Sequence, residues 1–500
     1  MNTERLTPEI KNTEPRTIEQ LINPRELPEA GFQSYNKLTN NAAEQKAAFV
    51  SGEQIHLNLT HPRLRKLGDM DKGILSLYSA AQEVGGVESD SEKASIIISS
   101  LEFRMAEMEY IKLLGRLEFM VHEGAPEEDV REVAEQAREL GEKLYGVPDE
   151  TVCASALGEV WSQINDKELS PSAQQLYDDL HDGFMWNDRE ISPLPQPDEF
   201  APLPDFNHPS LAWAGEIILE ENADLEALFN EWWDNKVAEH GDDYVACPED
   251  IAEAFKTALN YMDPENKAGV DVILDPDSSA LSWESPLMAI KVGGKRAPIT
   301  SAGLLFRRFL HEGKGHGGRA IEGLKTGLPV LGMGLYTDTA RADYLTFEEG
   351  FCTTVEEAVS DKDIKWNGIN LGYYINIALA QGGSDDRAVF ETAWRYRLLM
   401  KVKDGQEVTE EMIEKEKNLT HTSLVRVFRG MPTGLSDKYP DIKPLTFNKD
   451  LAYLNGRVLA MNHIEELHER DDRDGLMRLF KAKYDPTIPE QQTIVDKYVS

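Results

Sequence analysis

The chain has 500 residues, 41% of them hydrophobic and 28% charged, which suits a folded protein with a hydrated surface and more than one ordinary core. Lysine and arginine total 52 against 89 aspartates and glutamates, a formal net charge of −37. Such a field repels phosphate backbones and anionic lipid, so neither nucleic acid nor a membrane is an expected partner. Cys153, Cys247 and Cys352 form no CxxC pair, which argues against a disulfide framework or a thiolate zinc site and fits a reducing compartment. The start Met1-Asn2-Thr3-Glu4-Arg5 lacks the features of a signal peptide, and no later run approaches the ~20 apolar residues that span a bilayer. The expected location is the cytoplasm.

Residues 1–45 are polar and carry Pro8, Pro15, Pro24 and Pro28, which predicts an extended lead segment with short helices draped over the body. Residues 46–190 read as a helical domain. Ile96, Leu101, Met105, Met108, Ile111, Leu114 and Leu117 form one helical stripe, and Val130, Val133, Ala137, Leu140 and Leu144 form another. Gly124-Ala125-Pro126 between them predicts an antiparallel hairpin. Prolines 193, 195, 197, 202 and 204 crowd residues 191–206, where fixed dihedrals and missing donors predict a linker between domains. Residues 207–500 form the expected catalytic domain. It opens with a helical stretch through Trp213, Leu219, Leu225, Leu228 and Trp232, followed by strand-like runs from Gly269 to Leu274 and from Leu287 to Val292. Thr300 or Ser301 can then cap a helix whose incoming turns carry Leu304, Leu305, Phe309 and Leu310, so whatever follows is carried into the interior. The expected fold class is α+β and mainly helical, a zincin-like layout with a small sheet beside this helix.

The helix leads into His311-Glu312-Gly313-Lys314-Gly315-His316. Zinc takes imidazole nitrogens and carboxylates, and a catalytic site keeps three protein ligands with a fourth position open. Two histidines five apart on a straight α-helix stand about 140° apart at ~100° per residue, too far to share an ion. A π-like turn of roughly 4.4 residues brings them to about 50°. Gly313, Gly315, Gly317 and Gly318 make such unwinding cheap. Glu312 follows the first histidine as in the familiar peptidase motif, where it acts as general base toward water and later passes the proton to the leaving amine. Downstream, Phe347-Glu348-Glu349-Gly350-Phe351 opens another helix. Zinc aminopeptidases place a ligand glutamate directly before glycine in a similar run, which favours Glu349 as third ligand and Glu348 as hydrogen-bond partner of a ligand histidine, with the opposite assignment as the alternative. His463 and His468 have the same separation, but the charged stretch around them reads as a solvated helix face.

Taken together these motifs resemble the tyrosine carboxypeptidase-like zinc metallopeptidases, relatives of the microtubule-associated tyrosine carboxypeptidase and of QEGLA-motif proteins. The resemblance rests on His311-Glu312 with His316, on Arg319, and on Glu348-Glu349-Gly350. It extends to Arg426-Val427-Phe428-Arg429-Gly430 and to the run from Phe447 through Lys449 and Tyr453 to Gly456, with weaker similarity from Tyr35 to Phe49. The chain departs from the family pattern at Gly313 and at Phe351-Cys352, where members carry an apolar residue and Leu-Ala. The resemblance implies one zinc ion per chain and a carboxypeptidase that releases C-terminal tyrosine or phenylalanine from a peptide or protein. Arg319, Arg426, Arg429 and Lys449 are then the candidate partners of the terminal carboxylate, and Tyr453 the candidate oxyanion donor. A zinc-stabilised binding or regulatory protein without turnover, or a zinc hydrolase of non-peptide amides, would use the same residues.

Overall fold

The structure, a computed structural model, describes residues 17–23, 42–59, 67–336, 343–360 and 364–499. Most of the lead segment, including the Tyr35 end of the family-like stretch, lies outside the described residues. The chain is mainly helical with two small sheets, as the sequence predicts at that level. After a single helical turn at Ile18–Leu21, the helices in chain order are α1 (Ala42–Ser51), α2 (Leu67–Val87), α3 (Ser91–Glu123), α4 (Glu127–Tyr145), α5 (Glu150–Asn165) and α6 (Pro171–Asp182). Asp90 caps α3 by accepting from the Glu92 and Lys93 backbone N–H groups, and Gly124 ends it at a φ of 70°. Pro126 opens α4, so the Gly-Ala-Pro sequence makes the expected hairpin.

After a two-stranded hairpin of β1 (Phe184–Trp186) and β2 (Arg189–Ile191) come α7 (Pro209–Glu221), α8 (Ala223–His240) and α9 (Pro248–Met262). The second sheet contains β3 (Asp271–Asp275), β4 (Leu281–Glu284) and β5 (Ala289–Gly293) in the order β3-β5-β4. β3 runs parallel to β5 with Val272 opposite Ile290, and β4 runs antiparallel with Trp283 opposite Ile290. β4 is an edge strand that the sequence pattern did not reveal. Beyond the sheet, α10 (Ala302–Phe309) is capped by the Ser301 side chain, which accepts from the Leu304 N–H. It passes without a break into a π-helix, Leu310–Gly318, and then into α11 (Arg319–Leu324). The rest is helical: α12 (Asp343–Ala358), α13 (Gly372–Gln381), α14 (Asp386–Lys401), α15 (Glu410–Val427) and α16 (Leu451–Glu469).

The expected boundary at 191–206 needs correction, because the hydrophobic core does not break there. One continuous core joins Leu77, Ile97, Trp161 and Leu180 from the first half to Phe255, Phe309, Phe351 and Leu454 from the second. The Pro-rich segment is packed into it. Leu194 is buried, Pro195 O accepts from the Trp161 indole at 3.0 Å, and Pro204 O accepts from the Trp366 indole at 3.0 Å. A smaller core lies under the α3–α4 hairpin, where Tyr110, Leu114 and Val133 meet Tyr439, Leu445 and Phe447.

Two contacts hold the assembly in register. The α12 and α16 backbones touch at Gly350 and Gly456, where a Cβ on Gly350 would fall 1.8 Å from the Gly456 carbonyl carbon, and one on Gly456 1.8 Å from Thr346 O. Only glycine allows this crossing. The second contact ties the N-terminal residues to the body. His56 Nδ1 lies 2.6 Å from Asp386 and Nε2 2.9 Å from Asp437, while Arg189 bridges Asp385 and Asp437 at 2.6 Å each. Arg387 adds a fork to the Phe49 and Gln54 carbonyls, both at 2.7 Å.

Gly350→Ala is expected to lower stability by about 3 kcal/mol in denaturant unfolding, since neither facing backbone can yield. His56 gives a pH signature. Burial opposes its charge, but Asp386, Asp437 and Asp385 outweigh it and raise its pKa from 6.5 to about 9. The stabilisation is therefore complete below pH 6.5 and is lost as pH rises through about 9, roughly 1–2 kcal/mol after allowing for solvent screening. In His56→Gln this part of the stability profile should be flat.

Candidate metal centre

Two side chains leave no room for anything but glycine at two positions in the wall of the π-helix. A Cβ at Gly313 would lie 2.2 Å from the Phe309 ring, and one at Gly315 would lie 2.6 Å from Cys352 Sγ. Phe309 and Cys352 are fully buried, so neither can move aside. Gly313 and Cys352 therefore belong to one packed turn, the first against Phe309 and the second against Gly315. The widened turn brings His311 and His316 to a ring-centroid separation of 5.4 Å. Ligand atoms of His311, Glu312 and His316 lie within 4.8 Å of one another.

Each histidine has a carboxylate on its Nδ1 side, and both come from α12. Glu348 Oε1 is 2.6 Å from His316 Nδ1. Glu356 Oε2 stands 3.3 Å from His311 Nδ1, and Arg308 holds Glu356 at 2.8 Å. A carboxylate can only accept, so His316 Nδ1 donates to Glu348, whereas His311 Nδ1 stands at ion-pair distance from Glu356 without a hydrogen bond. Glu348 thus lies in hydrogen-bond contact with His316, one of the two motif histidines. Glu356 was not expected from the sequence, although it lies seven residues after Glu349 on the same helix, two turns along one face. Burial alone would raise the Glu348 carboxyl, but Lys483, His316 and Arg319 hold it well below the usual range. Burial likewise opposes charge on His316, yet Cys352 and Glu348 raise its pKa well above the ordinary value.

The centre lies in a cleft of about 620 Å³ lined by β4, the π-helix, Tyr344, Glu348, Glu349, Arg426, Arg429, Lys449 and Tyr453. Glu349 lies in this cleft but outside the converging trio. Arg426 pairs with the buried Asp450 at 2.8 Å and donates to the Tyr373 and Tyr453 hydroxyls at 3.3 Å. Burial lowers the Lys449 pKa against the pull of Glu349, Glu107 and Asp450, and lowers that of Arg429 to about 10. Glu349 and burial raise the Tyr453 hydroxyl, so it stays a proton donor. Burial, with Glu349 adding to it, raises the Glu312 carboxyl, opposed by His311 and His316.

Arg319 needs correction as a candidate partner of a terminal carboxylate. It is fully buried away from the cleft, with Nε donating to Ala482 O at 2.7 Å and Nη2 to Tyr484 O at 3.0 Å. The alternative pair does not converge either. His463 packs edge-on to Phe347 and His468 lies against Trp213. No described helix is long and apolar enough to cross a membrane, and all three cysteines are free.

The donor set, two imidazoles and a carboxylate whose ligand atoms lie within 4.8 Å of one another, could hold a metal ion. Purified protein supplemented with zinc is expected to hold about one ion per chain. His311→Ala and His316→Ala should abolish this in elemental analysis while leaving the circular dichroism of the folded chain. No protein-family model, curated protein or solved structure matches the chain, and the functional reading therefore rests on this geometry and the motifs that form it.

Proposed function

We propose that this chain is a zinc-dependent peptidase, a carboxypeptidase that releases a C-terminal aromatic residue. The observation that carries the reading is the convergence of His311, Glu312 and His316 within 4.8 Å on a π-turn, inside a cleft with cationic groups. His311 and His316 would hold the ion, and Glu349, in the same cleft, is the carboxylate assigned as third ligand. Zinc there supplies Lewis-acid polarisation of the scissile carbonyl and lowers the pKa of water. In this reading the layout is zincin-like, with the edge strand β4 beside the metal-binding helix.

The chain's own residues divide the remaining work. The unpaired side of β4 offers backbone groups to an extended peptide. Arg426, Arg429 and Lys449 attract the terminal carboxylate, the arginines through planar forks and the lysine as a point charge. Glu312 takes the proton from the attacking water and returns it to the leaving amine, and the burial that raises its pKa suits that exchange. Tyr453 donates a hydrogen bond to the developing oxyanion. An acidic chain repels acidic substrates at ordinary salt, which disfavours a strongly acidic protein tail as the target.

Mass spectrometry of peptide products tests this directly. Peptides ending in tyrosine or phenylalanine should lose that residue, and C-terminal amidation, which removes the charge and keeps the ring, should abolish cleavage. Glu312→Gln should lower the rate at least ~100-fold while retaining zinc. Equal cutting of amidated and free peptides would sink the carboxypeptidase reading, and a zinc-loaded wild type with no cleavage would favour a binding protein instead.

A further inference from the structure

Lys483 is a buried lysine for which neither the motif nor the proposed reaction has a use. It is 1% exposed. Its Nζ donates to Glu348 Oε1 at 2.8 Å, the same oxygen that faces His316 Nδ1 at 2.6 Å. Glu348 Oε2 has no hydrogen-bond partner, so the orientation of this carboxylate is set by what grips Oε1.

We propose that Lys483 is a positioning residue for metal binding: it is held on a strap gripped by Arg319, and it locks Glu348 so that Glu348 holds His316 with Nε2 turned to the ion. The proposal rests on the metal reading above and concerns how one ligand is held. The strap is pinned at each residue. Arg319 donates to the carbonyls of Ala482 and Tyr484, on either side of the lysine. The Lys483 N–H donates to Leu331 O at 2.7 Å, and its carbonyl accepts from the Leu335 N–H at 2.9 Å. With the backbone fixed this way, the ammonium reaches Glu348 across the Trp283 ring, 4.9 Å from the ring centroid. Arg319 lies three residues after His316, where the π-helix passes into α11. The ligand and the clamp of its counter-charge therefore share one continuous helical segment. A buried carboxylate and a buried ammonium compensate each other's desolvation, and removal of one leaves the other stranded.

The test is a zinc-affinity cycle measured by chelator competition on the full chain, with Co2+ absorption as a reporter of ligand geometry. Lys483→Met should weaken zinc binding about 10–100-fold, as loss of an outer-shell partner does. In a Glu348→Gln background the same change should cost less than about twofold, since the charge it compensates is gone. A folded Lys483→Met protein with unchanged affinity overturns the proposal, as does an equal loss in both backgrounds, which would mark general packing. If Lys483→Met fails to fold, Arg319→Lys keeps the charge but shortens the grip on the strap. Zinc binding about 5–10-fold weaker with a shifted Co2+ band is then the expected result, and an unchanged affinity and band overturns the proposal. Wild type that binds neither metal sinks the metal reading, and this inference with it; wild type that binds while the variants match it sinks the inference alone.

Discussion

The constraint on which the site depends is the five-residue interval between His311 and His316. On a regular helix that interval points the rings apart, so the chain must widen one turn, and a widened turn forfeits regular hydrogen-bond geometry. The deficit is offset by packing. Phe309 fills the space beside Gly313, and Cys352 fills the space beside Gly315, so the π-turn is packed by two fully buried side chains. Glycine here serves close approach as well as flexibility, which explains how a run rich in the worst helix formers short of proline remains helical from α10 to α11.

The second half of the site depends on α12, because its carboxylates act only if the helix keeps its height relative to the π-turn. Glu348 and Glu356 meet His316 and His311 respectively, and a one-residue slip would rotate both away by about 100°. The backbone contact of Gly350 with Gly456 fixes that height. The same crossing places α16, and with it Lys449 and Tyr453 near its start, on the wall of the cleft. The glycine of the Glu-Glu-Gly motif and that of the Tyr-Leu-x-Gly motif are therefore two sides of one contact, and the motifs belong together for a mechanical reason.

Buried arginines perform a related task at the periphery. Arg387 and Arg319 each spread a guanidinium over backbone carbonyls of distant segments, Phe49 with Gln54 and Ala482 with Tyr484. A guanidinium offers five donors in a rigid fork, so one side chain can satisfy carbonyls of segments far from it in the chain. Segments near both ends of the described chain thus become part of the body around the site.

What could be read from the sequence follows the range of each interaction. The π-turn was legible because it follows from an angle between two residues five apart, and the α3–α4 hairpin because Gly124 and Pro126 act on their own backbone. The β3 and β5 runs showed as apolar stretches, whereas β4 is four residues ending in Glu284 and takes its place from pairing with β5. Arg319 misled because proximity in sequence to His316 suggests the cleft, yet on that helix its side chain turns to the strap at Ala482 and Tyr484, far downstream. The prolines of 191–206 misled for the opposite reason. A segment without donors cannot join a sheet, but its carbonyls still accept, and the indoles of Trp161 and Trp366 satisfy them inside the core. Lys483 carries no local signal, and the seven-residue interval from Glu349 to Glu356 puts the two on one helix face without saying what that face meets: a carboxylate and an ammonium become informative only once the fold has taken them out of water, where an unmatched charge is too costly to be incidental.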